Sequence, residues 1–374
     1  MSILTEEVCF IRSEYYCIFF IKIIHLPENI QDSSAIRKYY SIIFNKIIAI
    51  ARSFDAKIVK NLGDGLVFYF PKTNNSTDEA AFKDVIECGL TVIAARHIIN
   101  TKLCEEKLPT VNYRISADYG KVEVARSITS PDNDLFGSPM NLCSKINAKA
   151  PANEMVIGDN LYQNIKTISY SDSLSFDFTN YYDFKQVGEY FWVGDNDGDR
   201  GSDSTSITNK DYQNNPYKIY TAEVNSSRKN IDDVLDQQCY PQQQEEEHSK
   251  NNNNIMIVDD EQDILITYKA ILEEGGYNVK TFTNPYEVLL HFTQGNPMYY
   301  KLIILDIRIP NLNGLQLYHR LKAVYNDIKI VFLSALDAAK ELVSMLPSTN
   351  SDDIIIRKPV EKEYLANRVK AELA

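Results

Sequence analysis

YYCIFFIKIIHL, residues 15–26, is a nearly continuous run of aromatic and β-branched side chains, closed by Pro27 and a polar stretch. Such a run reads as a buried central strand. Inside it stands Lys22, whose ammonium is costly to bury without a partner. A lysine there is either a strand-end side chain reaching for water or a charge placed to meet another group.

Outward from this strand, SSAIRKYYSIIFNKIIAIARSF (33–54) offers Ser33 or Ser34 as a helix cap and sets Ile36, Tyr40, Ile43, Ile47 and Ile50 on one helical face. AKIVKNLGDGLVFYF (56–70) reads as two strands about a Gly-Asp-Gly turn. A long helix is predicted from about Asp78 to Lys107, and VNYRISADYGKVEVARS (111–127) reads as a second hairpin centred near Gly120. The order strand, helix, hairpin, helix, strand predicts an α+β sandwich related to the ferredoxin-like plan.

Two low-complexity segments punctuate the chain. GDNDGDRGSDSTSITNKDYQNN (194–215) interrupts the strands EYFWVG and YKIYTAEV. Its Asp195, Asp197 and Asp199 resemble the start of a calcium loop, but Arg200 stands where glycine is needed and Ser206 where the closing carboxylate belongs. It reads as an acidic insertion loop. Residues 226–253, rich in Gln, Glu and Asn, cannot bury a core and read as a linker between a domain at 1–225 and another at 254–374. In the second domain, short apolar strands alternate with amphipathic helices, which predicts an α/β, doubly wound, five-stranded parallel sheet.

Bulk properties narrow the function. A net charge of −12 argues against a general phosphate-backbone binder, so nucleic acid is not an expected partner. The six cysteines form no CxxC pair and no framework spacing, so neither disulfides nor zinc are expected. The opening apolar run is too short to cross a bilayer and carries Lys22 and His25; Glu6 and Glu7 stand where a signal peptide has basic residues. A cytoplasmic protein without membrane insertion is expected.

The strands of the second domain end in a patterned way. Asp259 and Asp260 close IMIVDD, Asp306 closes KLIILD, Ser334 closes IVFLS, and Lys358, before Pro359, closes IIIRKP. In a parallel α/β sheet these strand ends meet at one carboxyl edge, where such folds bind ligands. Asp259, Asp260 and Asp306 together suit one Mg²⁺, and with charge neutralised by the metal and Lys358, Asp306 can attack a phosphoryl group. Ser334 would hydrogen-bond the transferred group. This pattern closely resembles the receiver domain of two-component response regulators, over essentially all of 254–374. The resemblance implies a sensor histidine kinase as phosphodonor. Two positions depart from it: Ile355 where an aromatic switch residue is usual, and LPSTNSDD (346–353) in place of a small-residue turn.

KNLGDGLVFYF (60–70) and DLFGSPMNLCSKINAKAPANEMVIGD (134–159), in this order of elements, resemble class III adenylate and guanylate cyclases, from about Cys9 to Val224. In that family paired chains build active sites at their interface, and two aspartates hold two metal ions. The resemblance makes Asp64 one metal carboxylate, Lys60 and Asp134 the pair that reads adenine, Asn141 the ribose residue, and Lys145 the counterpart of an arginine whose bidentate fork is lost. It also places Lys22, or after a one-residue shift Ile21, where the first metal-binding aspartate belongs, and His25, Leu26 and Pro27 in the phosphate-binding turn that normally carries Gly, Phe and Thr.

Three readings stand. The first is a response regulator phosphorylated on Asp306, whose degenerate cyclase-like output domain dimerises, with ATP as a candidate ligand contacted by Lys60, Asp134 and Lys22, and without efficient turnover. The second is a phosphorylation-regulated adenylate cyclase with an atypical one-metal (Mg²⁺) or Mn²⁺-preferring site at Asp64, using Asn141 and Lys145. The third is an interaction module without nucleotide affinity.

Overall fold

The computed structural model describes residues 8–24, 32–61, 63–127, 133–169, 178–190, 216–225, 253–294, 298–310, 312–334 and 354–373. The turn at His25, Leu26 and Pro27, the acidic loop 194–215, nearly all of the linker, and LPSTNSDD (346–353) lie outside them. The chain divides into two compact units, Met1–Arg228 and Lys229–Ala374.

The first unit is built on β1 (Val8–Ile24), α1 (Ser33–Ser53), β2 (Lys57–Asn61), β3 (Gly65–Phe70), α2 (Glu79–Glu105), β4 (Asn112–Ser127), β5 (Asn133–Phe136), α3 (Ser138–Asn147), β6 (Met155–Gly158), α4 (Asp159–Ser169), α5 (Phe178–Tyr181), β7 (Tyr182–Tyr190) and β8 (Tyr217–Val224). Among the described residues these strands form one sheet in the order β2-β3-β1-β4-β6-β8-β7, with β5 added to the outer half of β4. β1 is central and its two faces are both covered. Phe19 faces α2 near Gly89, while Tyr16, Ile18 and Phe20 pack with Cys143 of α3. Alternation along the strand therefore assigns Lys22 to the α3 face.

Four local expectations are corrected. β1 begins at Val8, seven residues before the apolar run, because residues 8–14, though mostly exposed, pair with the outer half of β4. The segment Asn112–Ser127 is one 16-residue strand, with no hairpin at Gly120. Gly120 answers a packing need there: a Cβ at this position would lie 2.8 Å from Pro139 Cγ at the start of α3. The cap of α1 is Asp32, whose carboxylate accepts from the Ser34 and Ala35 amides at 3.1 and 3.3 Å and adds a negative charge where the helix dipole favours one. The buried side of α1 comprises Tyr39, Ile43, Phe44, Ile47, Ile50 and Ala51, while Ile36 is exposed and Tyr40 half-buried.

The second unit runs β9 (Asn254–Val258), α6 (Gln262–Glu274), β10 (Asn278–Phe282), α7 (Pro285–Gln294), β11 (Leu302–Asp306), α8 (Gly314–Val324), β12 (Lys329–Ser334), β13 (Ile355–Arg357) and α9 (Lys362–Leu373). Its five strands are parallel in the order β10-β9-β11-β12-β13, the flavodoxin-like winding. Ile255, Ile257, Leu302, Ile304, Val331 and Leu333 bury one sheet face against Leu265 and Leu272 of α6 and Leu365 and Val369 of α9. The strand order reverses beside β9 and β11, so their carboxyl ends flank a crevice.

Candidate functional site

In the second unit the strand ends converge. Ligand atoms of Asp259, Asp260 and Asp306 all lie within 4.8 Å of one another, the one such acidic, His or Cys trio among the described residues. Asp259 directly follows β9 and is fully buried; Asp306 is the last residue of β11 and is 7% exposed; Asp260 is exposed. The Lys358 ammonium donates to Asp259 Oδ2 at 2.6 Å and to Asp306 Oδ2 at 2.8 Å. The remaining oxygens are held by backbone: Glu261 N–H donates to Asp259 Oδ1 at 3.0 Å and Arg308 N–H to Asp306 Oδ1 at 3.2 Å. Ser334, buried at the end of β12, accepts the Lys358 amide on its carbonyl at 2.8 Å.

Burial pushes the Asp259 carboxyl upward, with Lys358 and the Glu261 amide pulling it back. Burial acts on Lys358 in the opposite sense, but its bonds to Asp259 and Asp306 outweigh this and its pKa rises. The ammonium is thus firmly charged. A trio of hard carboxylate donors with close oxygens fits a Mg²⁺ ion.

Gly314 was not singled out in the sequence. A Cβ there would lie 2.0 Å from the Asp306 carbonyl oxygen and 2.9 Å from Ile307 Cα, so α8 approaches the end of β11 only because this residue lacks a side chain. Asn313, which forms a capping box with Gln316, starts the helix at that point. The signal available was the pair Asn313-Gly314 opening a helical pattern. Ile355 is buried on β13, opposite Phe332.

In the first unit, β1 pairs with β3 so that Lys22 faces Gly65, and with β4 so that Lys22 faces Arg114. The turn between β2 and β3 carries Asp64 to the end of β1, where its carbonyl accepts the Ile23 amide at 2.8 Å. Lys22 Nζ and Asp64 Oδ2 are 3.7 Å apart, with the two side chains 48% and 31% exposed. Tyr40 on α1 is near enough for Asp64 to add to the upward push that burial gives its hydroxyl. Arg114, a second residue the sequence reading passed over, reaches the Ala148 carbonyl with Nη1 at 3.4 Å, while its Nε is buried without a hydrogen-bond partner among the described residues.

The other cyclase-like positions are more open. Lys60 on β2 is exposed and Asp134 on β5 half-buried, and the two strands approach within 8 Å between Cα atoms. Asn141 and Lys145 are exposed, one turn apart on α3, with the Lys145 ammonium 5.2 Å from the Tyr190 ring centroid. Lys22 stands where a carboxylate would have to accompany Asp64, so the described residues do not fit a second metal ion there.

Residues 255–370 match the family described as response regulator receiver domain, and residues 11–195 that described as adenylate and guanylate cyclase catalytic domain. The chain joins a class III cyclase domain to a receiver domain. Among curated proteins, the transcriptional regulatory protein PrrA of Mycobacterium tuberculosis is 33% identical over 111 residues, 30% of this chain and 46% of that protein. The chain covers less than half the length of such relatives. Solved structures with similarity include the adenylyl cyclase CyaB from P. aeruginosa, 17% identical with TM-score 0.43, covering 57% of this chain and 95% of that one. A response regulator receiver domain protein from Clostridium thermocellum is 26% identical with TM-score 0.29, covering 32% and 93%. In neither domain is any helix among the described residues long and apolar enough to cross a membrane.

Proposed function

We propose that this chain is a two-component response regulator, phosphorylated on Asp306, whose output is a degenerate cyclase domain acting through dimerisation and nucleotide binding without efficient turnover. The observation that carries the receiver half is the Lys358 ammonium bridging Asp259 and Asp306 at 2.6 and 2.8 Å beside a third carboxylate, Asp260. Asp259, Asp260 and Asp306 would hold Mg²⁺, which when bound offsets negative charge on an incoming phosphoryl group. An Asp306 carboxylate oxygen attacks phosphorus, the bond from phosphorus to the donor histidine of a sensor kinase breaks, and an acyl phosphate forms on Asp306. Lys358 then shifts its charge toward the phosphoryl oxygens, and the Ser334 hydroxyl donates to one of them.

The degenerate character of the output rests on Lys22 beside Asp64. A lone metal carboxylate cannot clamp two ions, and an ammonium cannot activate a ribose hydroxyl as a metal ion does. ATP is the expected ligand, with Lys60 and Asp134 toward the base, Asn141 toward the ribose and Lys145 toward the phosphates. Phosphorylation shifts the population of receiver dimers, and the linker passes this bias to the cyclase domains. Small-angle scattering with and without beryllofluoride tests the proposal; an unchanged shape and association state would count against it.

A second reading, a phosphorylation-regulated adenylate cyclase, draws on one observation. The Lys60, Asp134 and Asn141 side chains have no hydrogen-bond or ion-pair partner among the described residues, so they are available to a substrate. It requires cyclic AMP formation that depends on Asp64 and Asn141.

A further inference from the structure

We infer that the cyclase domain holds the phosphate chain of a nucleoside triphosphate on fixed side-chain cations, Lys22 with Arg114 beside it, and needs no divalent metal ion to do so. This rests on the nucleotide reading above and states how that site takes its ligand.

Lys22 and Arg114 face each other across the β1–β4 pairing, so their side chains leave the sheet on one face. Asp64 is the acidic partner at this spot, and its carboxylate stands 3.7 Å from the Lys22 ammonium. That is ion-pair range but longer than a hydrogen bond. The three N–H groups of Lys22 are therefore not consumed by Asp64, and the side chain is about half exposed, open to an anion arriving from solvent.

Arg114 adds to this. Its Nη1 makes only a long contact, 3.4 Å, to the Ala148 carbonyl, and its Nε is buried without an acceptor among the described residues. Among the described residues at this strand end, two cations, Lys22 and its cross-strand neighbour Arg114, stand against one carboxylate, Asp64, an excess of positive charge. A divalent ion on Asp64 would meet the Lys22 ammonium a few ångströms away and be repelled, whereas a phosphate oxygen would be attracted to both Lys22 and Arg114. Lys22 thus occupies, as a tethered monovalent charge, the role that a mobile ion needs two carboxylates to fill.

Equilibrium dialysis of the full chain against radiolabelled ATP, in EDTA and in Mg²⁺, tests this, because it counts nucleotide alone and ignores Mg²⁺ held by the receiver. The wild type is expected to bind in EDTA with an affinity within about threefold of that in Mg²⁺. Lys22→Met, an exposed change whose folding is checked by its unfolding curve, should weaken binding in EDTA roughly tenfold or more. Lys22→Asp should bind weakly in EDTA and regain affinity with Mg²⁺. Wild-type binding that requires Mg²⁺, or Lys22→Met that binds like wild type, would overturn the inference while leaving nucleotide binding intact. No binding in either buffer would overturn the nucleotide reading itself.

Discussion

The Lys358 ammonium stands 2.8 Å from the Asp306 carboxylate, an ion pair that links the end of β13 to the end of β11 across the intervening strand β12. Lys358 is only 15% exposed in its side chain and Asp259, its other partner, is wholly buried, so the pair is shielded from solvent screening.

Two substitutions separate the chemistry from the electrostatics. Asp306→Asn removes the proposed nucleophile, and labelling by acetyl phosphate should be abolished; full labelling in that variant would reject the assignment. Lys358→Met leaves two buried or nearly buried carboxylates without their cation, and in EDTA it should lower receiver stability by about 3 kcal/mol in a urea titration. Added Mg²⁺ should recover part of that loss through preferential binding to the folded state.

Gly314 has a sharper steric role. Since a Cβ would fall 2.0 Å from the Asp306 carbonyl, Gly314→Ala must move α8 or the end of β11, at a cost of about 1–3 kcal/mol. Slower acetyl phosphate labelling should accompany the loss. Gly188→Ala, where the nearest atom is Ile219 Cδ1 at 4.0 Å, serves as the control and should be tolerated.

Asp118 gives the cyclase domain a pH signature. This carboxyl is fully buried on β4, receives the Tyr217 hydroxyl at 2.8 Å and the Tyr119 amide at 2.9 Å, and is pushed up to about 7 by burial, against the pull of those bonds. Folded Asp118 thus holds its proton more tightly than the unfolded chain, whose carboxyl titrates near 3.9. Its contribution to stability is full below that value, declines as pH rises toward 7, and is constant above. Asp118→Asn should lose less stability than wild type between pH 5 and pH 8, measured by urea unfolding at each pH. Equal losses would show that Asp118 does not titrate in this window.

The receiver was legible because four of its five strands, β9, β11, β12 and β13, run out into a polar site residue, and a parallel sheet gathers those ends by topology alone. The cyclase domain was legible at its turns and less so along its longest strands. Tyr119-Gly120 looks like a turn, yet Gly120 is there for Pro139, a contact that only the tertiary fold creates. Residues 8–14 carry no burial pattern, and their strand is induced by pairing with β4. Lys22 was conspicuous in sequence, while Arg114, its cross-strand neighbour, is visible only once the register is known. Gly314 escaped notice for the same reason: its constraint is an approach of backbone to backbone.

The most direct test of a retired cyclase is cyclic nucleotide production from ATP and GTP, with Mg²⁺ and with Mn²⁺, by the full chain with and without beryllofluoride. With Lys22 beside Asp64, no product is expected in any condition while Asp306 remains competent for phosphorylation. Cyclic AMP that disappears in Asp64→Ala would contradict this and show that the receiver controls an active enzyme.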